Sequence, residues 1–191
     1  MEIPVSSYCG YVLRPDAKEV HRIYHDTEYG FPSTDESVLF ERLVLEINQA
    51  GLSWETILNK RAGFRRAFRD FDVDAVAGFG EQEVEVLLQD AGIIRNRMKV
   101  QAAIFNARRI VEMRESHGGF SAWLEAHHPL EKGDWVKLFK KNFKFVGGEI
   151  VGEFLMSLGY LPGAHEEGCE KFEEVAKLNP AWMARPLQEA S

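Results

Sequence analysis

Between Pro32 and Pro129 the chain contains no proline. Proline inside a helix removes a backbone donor and clashes with the preceding turn. A long stretch without one can run as a block of helices joined by short connections. Its apolar residues do recur with the helical period. Val38, Leu39, Leu43, Val44 and Ile47 mark one helix, with Ser33 to Glu36 as the expected capping box. Ser53 is expected to cap a second, through Ile57, Leu58, Phe64 and Phe68, and Asp72 to start a short third. Val84, Leu87 and Leu88 place another between residues 81 and 90. After a brief stop around Gly92, a long helix carries Met98, Ala102, Phe105, Ile110 and Met113 and ends at Gly118-Gly119. Shorter helices are expected over 120–126, 134–141 and 149–158. No run of apolar–polar alternation is long enough for a sheet, so the expected class is all-α. Residues 33–128 read as a helical domain, and 1–32 with 129–191 as a terminal layer packed on it. The tail after Asn179, with Pro180 and Pro186, reads as loosely held.

No apolar run reaches the length of a membrane-spanning helix, and the first ten residues lack a secretory pattern, so the expected location is cytoplasmic. Two cysteines, Cys9 and Cys169, are too few for a disulfide scaffold of this size. They read either as metal ligands or as ordinary thiols. The net charge of -7 runs against a nucleic-acid binder. Its distribution tells a different story, because 14 of the 23 Lys and Arg residues fall in three clusters. These are Lys60, Arg61, Arg65, Arg66 and Arg69; Arg95, Arg97, Lys99, Arg108 and Arg109; and Lys137, Lys140, Lys141 and Lys144. A basic face on an acidic protein can bind phosphate locally. The plainer reading of any single cluster is a solvated helix face.

His165 and Cys169 are four residues apart and share a face if the turn is helical. With Cys9 and His25 they make a Cys2His2 set, which suits a closed, structural zinc site tying the N-terminal arm to the C-terminal segment. Spacing alone also fits an exposed His165 beside a lone thiol. The set accounts for both cysteines, and His21, His117, His127 and His128 are left as surface residues. Glu46 lies among Leu43, Val44, Leu45 and Ile47, where a helix turns toward the core. A buried carboxylate needs a partner, so it is either a site residue or the partner of Arg42 one turn earlier. Trp54 reads as core or as a binding aromatic. With Tyr11, Tyr24 and Tyr29 it would give an aromatic box with one acid, suited to a flat cationic ligand.

Several motifs in this order resemble the 3-methyladenine DNA glycosylase I family. They are Cys9-Gly10-Tyr11, Tyr24-His25-Asp26-Thr27-Glu28-Tyr29-Gly30, Gln49-Ala50-Gly51-Leu52-Ser53-Trp54, Gln89-Asp90-Ala91-Gly92-Ile93-Ile94-Arg95, Phe143-Lys144-Phe145-Val146-Gly147, and the His165 and Cys169 pair. The resemblance implies a helix-hairpin-helix fold with a zinc-binding layer and zinc at Cys9, His25, His165 and Cys169. It makes Glu46 the residue contacting the lesion base, with Trp54 and Tyr24 stacking beside it and Tyr29 and Tyr11 completing the base-binding set. Residues 91–97 become a hairpin on the DNA backbone, served by Gly92, Arg95, Arg97 and Lys99. The implied reaction is hydrolysis of an N-glycosidic bond on alkylated double-stranded DNA by a monomer, with the damaged base flipped out and no strand-cleaving step. The family lacks the catalytic aspartate that many helix-hairpin-helix glycosylases carry after the hairpin, and residues 95–111 here contain no Asp or Glu.

Some positions depart from the family pattern. Tyr11 and Tyr29 stand where tryptophan is usual, and Ile47-Asn48 where Gly-Gln is common. Glu149 is either a second acid near the site or a solvent-facing one. Gly163-Ala164 replace an Asn-Asp pair before the histidine, which would remove a partner of the zinc ligand. These changes bear on substrate range. The alternatives are a glycosylase for another alkylated purine, or a DNA-binding member with weak or no catalysis. A zinc hydrolase would need an open coordination position, which four protein ligands close.

Overall fold

The computed structural model describes residues 3–184. Among them are eleven α-helices and no strand. These are α1 (Tyr8–Val12), α2 (Glu19–Thr27), α3 (Glu36–Gln49), α4 (Trp54–Ala67), α5 (Val73–Ala77), α6 (Glu81–Gln89), α7 (Arg97–His117), α8 (Phe120–His127), α9 (Lys132–Asn142), α10 (Gly148–Ser157) and α11 (Glu170–Lys177). Most caps are the expected ones. The Ser53 hydroxyl accepts from Thr56 N–H, and the Asp72 carboxylate from Ala75 N–H. Gly118, in the left-handed region at φ 87°, ends α7. The cap of α3 lies two residues beyond the expected Ser33. Asp35 takes the N–H groups of both Ser37 and Val38, while Glu36 turns away to Arg114. Of the tail, residues 181–183 form a single 3-10 turn; residues 185–191 lie outside the described residues.

The chain divides into two compact units, residues 34–151 and residues 1–33 with 152–191. The second boundary thus falls at 152 and not near 129, because α9 joins the larger unit through aromatic packing. Phe139 lies 5.5 Å from Trp123 and 5.2 Å from Phe143, ring centre to ring centre.

Within the larger unit, α3 is the central element: every residue from Leu39 to Asn48 is buried. Phe64, Phe68 and Phe71 stack in sequence, with Phe40 of α3 edge-on to Phe71. Burial on all sides forces the polar residues of α3 to find partners inside. Glu41 is 3% exposed and accepts from two arginines of α4. Arg61 and Arg65 each donate through Nε to Oε1 at 2.8 Å, and through Nη2 to Oε2 at 3.1 and 3.0 Å. Burial alone would raise the Glu41 pKa, but the two guanidinium groups outweigh it and hold the carboxyl below its ordinary value.

In the terminal unit, Arg22 of α2 donates to the carbonyls of Val12 and Arg14 and so holds the end of α1. Gly10 permits the preceding arm to fold back on α1, since a Cβ there would lie 2.2 Å from the Pro4 carbonyl oxygen.

Removing a partner from a buried ion pair leaves an uncompensated charge, which typically costs about 3–5 kcal/mol. Glu41→Ala should lower the stability of the protein by roughly that amount, read as a shift in the urea midpoint. A depressed folded pKa contributes stability above the unfolded carboxylate pKa, and that stability is lost as pH falls through the folded value. The acid limb of the stability curve should therefore flatten in the variant. An unchanged midpoint and limb would show that the clamp carries no stability.

Candidate functional site

Four buried donors converge in the terminal unit. Cys9 is the second residue of α1, His25 lies in the last turn of α2, His165 follows α10, and Cys169 is the N-cap residue of α11. Their ligand atoms all lie within 4.8 Å of one another. His25 Nε2 is 3.2 Å from His165 Nδ1 and 3.2 Å from Cys9 Sγ. Cys9 Sγ is 3.7 Å from His165 Nδ1, and Cys169 Sγ is 3.8 and 3.9 Å from the two ring nitrogens. A tetrahedral zinc with ordinary bond lengths would set N···N near about 3.3 Å and N···S near about 3.6 Å. The N···N and N···S separations are close to that shape. The turn that carries His165 and Cys169 is not helical. They sit on a tight turn closed by the Cys169 N–H donating to the Glu166 carbonyl at 2.8 Å.

The second nitrogen of each ring is fixed. His165 Nε2 lies 2.6 Å from the Tyr29 carbonyl, which can only accept, so the proton is on Nε2 and the Nδ1 lone pair faces the cluster. His25 Nδ1 is likewise 2.6 Å from Asp26 Oδ1. Such oriented imidazoles are the usual supports of metal ligands. The Tyr29 carbonyl thus supplies the histidine support that the missing Asn-Asp pair had put in question. Gly30 makes the approach feasible: its φ is 83°, and a Cβ would lie 2.9 Å from Ala164 Cβ and 3.1 Å from the His165 ring. Burial pushes the Cys9 thiol up to about 12 and His165 down to about 4. A bound cation would have to displace the thiol proton.

Four tyrosines gather in the same unit. Tyr24 and Tyr29 are buried and tilted against each other at 5.8 Å, while Tyr11 is half-buried and stacked on Tyr8. Tyr8 was not singled out from the sequence. It lies edge-on to His25 and to Tyr29, both at 5.5 Å, and its hydroxyl is 3.0 Å from His21 Nδ1. His21 is consequently buried and not a surface residue. Tyr8 immediately precedes Cys9, and that adjacency was the available signal.

In the larger unit, Glu46 is 5% exposed on α3, and Trp54 opens α4 behind the Ser53 cap. The connection between α6 and α7 packs close against α4: a Cβ on Gly63 would lie 2.3 Å from the Gly92 carbonyl oxygen. The Gly92 N–H donates to Asp90 Oδ1 at 2.7 Å. Arg95 is exposed. Besides the Gly92 N–H, two of the side chains expected on phosphate have other partners. Lys99 is buried, and its ammonium donates to the carbonyls of Asn48 and Ala50 at 2.8 Å each, closing the C-terminal end of α3. Arg97 is shared between Glu81 and Glu85. Several other basic residues are also committed. Arg61 and Arg65 hold Glu41, Lys60 donates to the Ala91 carbonyl, and Arg108 donates to those of Ala77 and Phe79. Glu149 faces solvent, with its side chain 91% exposed near Lys132.

Residues 15–136 match the family model described as methyladenine glycosylase. The chain is 38% identical to DNA-3-methyladenine glycosylase 1 of Escherichia coli (strain K12) over 84% of its own length and 94% of that protein's. It is 33% identical to DNA-3-methyladenine glycosylase of Haemophilus influenzae over 76% of its length and 89% of the relative's. A crystal structure of 3-methyladenine DNA glycosylase I superposes with a TM-score of 0.73 at 36% identity, covering 80% of this chain and 94% of the other.

The close approach of Gly63 to Gly92 makes a stability prediction whose sign is informative. On helix propensity alone Gly63→Ala should stabilise by about 1 kcal/mol. Overpacking against a backbone carbonyl should reverse this and destabilise by roughly 1–3 kcal/mol in urea unfolding. A stabilised variant would contradict the contact.

Proposed function

The chain belongs to the methyladenine glycosylase family, and from that premise we propose that it hydrolyses the N-glycosidic bond of 3-methyladenine in duplex DNA as a monofunctional repair glycosylase. The observation that carries this reading is the match to named relatives along nearly their whole length, beside Glu46 as a buried acid on α3. An alkylated adenine still attached to deoxyribose carries positive charge and is already a good leaving group. The demand on the protein is then to take the base out of the stack and to favour a cation over neutral adenine. Glu46 supplies the negative charge for that choice. Trp54 and Tyr24 supply stacking faces, with Tyr29 and Tyr11 completing the aromatic set. Water attacks the sugar carbon and gives up a proton to solvent, while the C–N glycosidic bond breaks and the base leaves neutral with the bonding electrons.

Cys9, His25, His165 and Cys169 would hold a structural zinc. Two thiols and two oriented imidazoles are the donor chemistry zinc takes, and four protein ligands leave no position for water. The ion would fasten α1 and α2 to the turn before α11. On the DNA, the hairpin backbone around Gly92 and the exposed Arg95 would meet a phosphate. Arg97 would contribute only by releasing its acidic partners. No helix among the described residues is long and apolar enough to cross a membrane. The proposed working form is a cytoplasmic monomer.

Under single-turnover conditions on methylated duplex DNA, Glu46→Gln should slow release of 3-methyladenine by about a hundredfold, the usual worth of one preorganised electrostatic group. Equal rates would remove Glu46 from the mechanism. Elemental analysis should find about one zinc per chain, and less in Cys169→Ala; a metal-free protein that stays fully folded would refute the zinc assignment.

A further inference from the structure

Tyr29 is engaged at three points. Its carbonyl accepts from His165 Nε2, its ring lies against Tyr24 and Tyr8, and its hydroxyl donates to Glu153 Oε2 at 2.8 Å. Glu153 is half-buried on α10 and plays no part in the reaction assigned above. A tryptophan at position 29 would have no hydroxyl to offer it. A phenol whose far end is held by a carboxylate is fixed both in ring plane and in reach, and such charge-assisted bonds are about twice as strong as neutral ones. The same bond draws the phenolic proton toward the acid and enriches the ring in electron density. That strengthens its attraction for a cation.

We infer that Glu153 is a positioning residue for base recognition: through the Tyr29 hydroxyl it holds that ring in one orientation against Tyr24, the aromatic assigned to the lesion base. This inference rests on the glycosylase reading. Glu153 touches no reacting atom and acts only through Tyr29.

The test combines equilibrium binding of free 3-methyladenine with single-turnover release from methylated duplex DNA. The proteins are wild type, Glu153→Ala, Glu153→Gln, Tyr29→Phe and the double variant Glu153→Ala with Tyr29→Phe. Glu153→Ala and Tyr29→Phe should each weaken base binding about tenfold, the worth of one hydrogen bond to a charged group. The double variant should be no weaker than either single one. Glu153→Gln, whose amide oxygen still accepts, should recover most of the loss. Thermal midpoints separate these effects from misfolding, and Tyr29→Phe and Glu153→Gln carry the test if the alanine variant does not fold. Wild-type binding in Tyr29→Phe, or additive losses in the double variant, would overturn the inference while leaving the glycosylase reading intact. Wild-type protein that neither binds nor releases 3-methyladenine would overturn both.

Discussion

The larger unit depends on a helix that is buried along most of its length and still carries charge. From Leu39 to Asn48 helix α3 has no exposed residue, yet it includes Glu41, Arg42, Glu46 and Asn48. Charge in a low-dielectric interior persists only where it is answered in place. Arg61 and Arg65 answer Glu41, the Lys99 ammonium takes the last carbonyls of the helix, and Asn48 donates back to Val44. These interactions align α4 and the start of α7 with α3. They also keep Glu46 on a rigid element, which is where a selective charge has to sit if it is to discriminate a cation from a neutral base.

The terminal unit works by a different constraint. Residues near both ends of the chain supply two donors each to one cluster, and no disulfide is needed to join them. Tyr29 links this cluster to the aromatic residues, because one residue gives its carbonyl to His165, its ring to Tyr24 and its hydroxyl to Glu153. A metal that fixes His165 would thereby restrain the backbone of a residue assigned to base recognition. A zinc held there would then be mechanically tied to the Tyr29 ring.

What was legible in the sequence was local. Helical periods, the caps at Ser53 and Asp72 and the stop at Gly118 depend on residues within a turn or two, and all appear as read. The cap of α3 was misplaced because Ser33 and Asp35 are both good caps, and the choice turns on Glu36 being drawn to Arg114, 78 residues away. The basic clusters were read by sign and proximity, which carry no information about acids or carbonyls reached across 12 to 51 residues. That is why Lys99 looked like a phosphate ligand and is an internal tie. The metal-ligand set was visible as residue types but not as geometry; the turn at 165–169 is not helical, and the second partners of both histidines come from Asp26 and the Tyr29 carbonyl. Glu153 left no trace in the sequence reading, since its partner Tyr29 is 124 residues earlier.

The decisive chemical outcome lies at one nucleotide. Duplex DNA carrying a single alkylated adenine, incubated with the protein, should yield free 3-methyladenine by mass spectrometry and a strand that stays intact at the abasic site until alkali is added. A strand already broken before alkali, or a folded and DNA-bound protein that releases no alkylated adenine, would contradict hydrolysis by a monofunctional glycosylase.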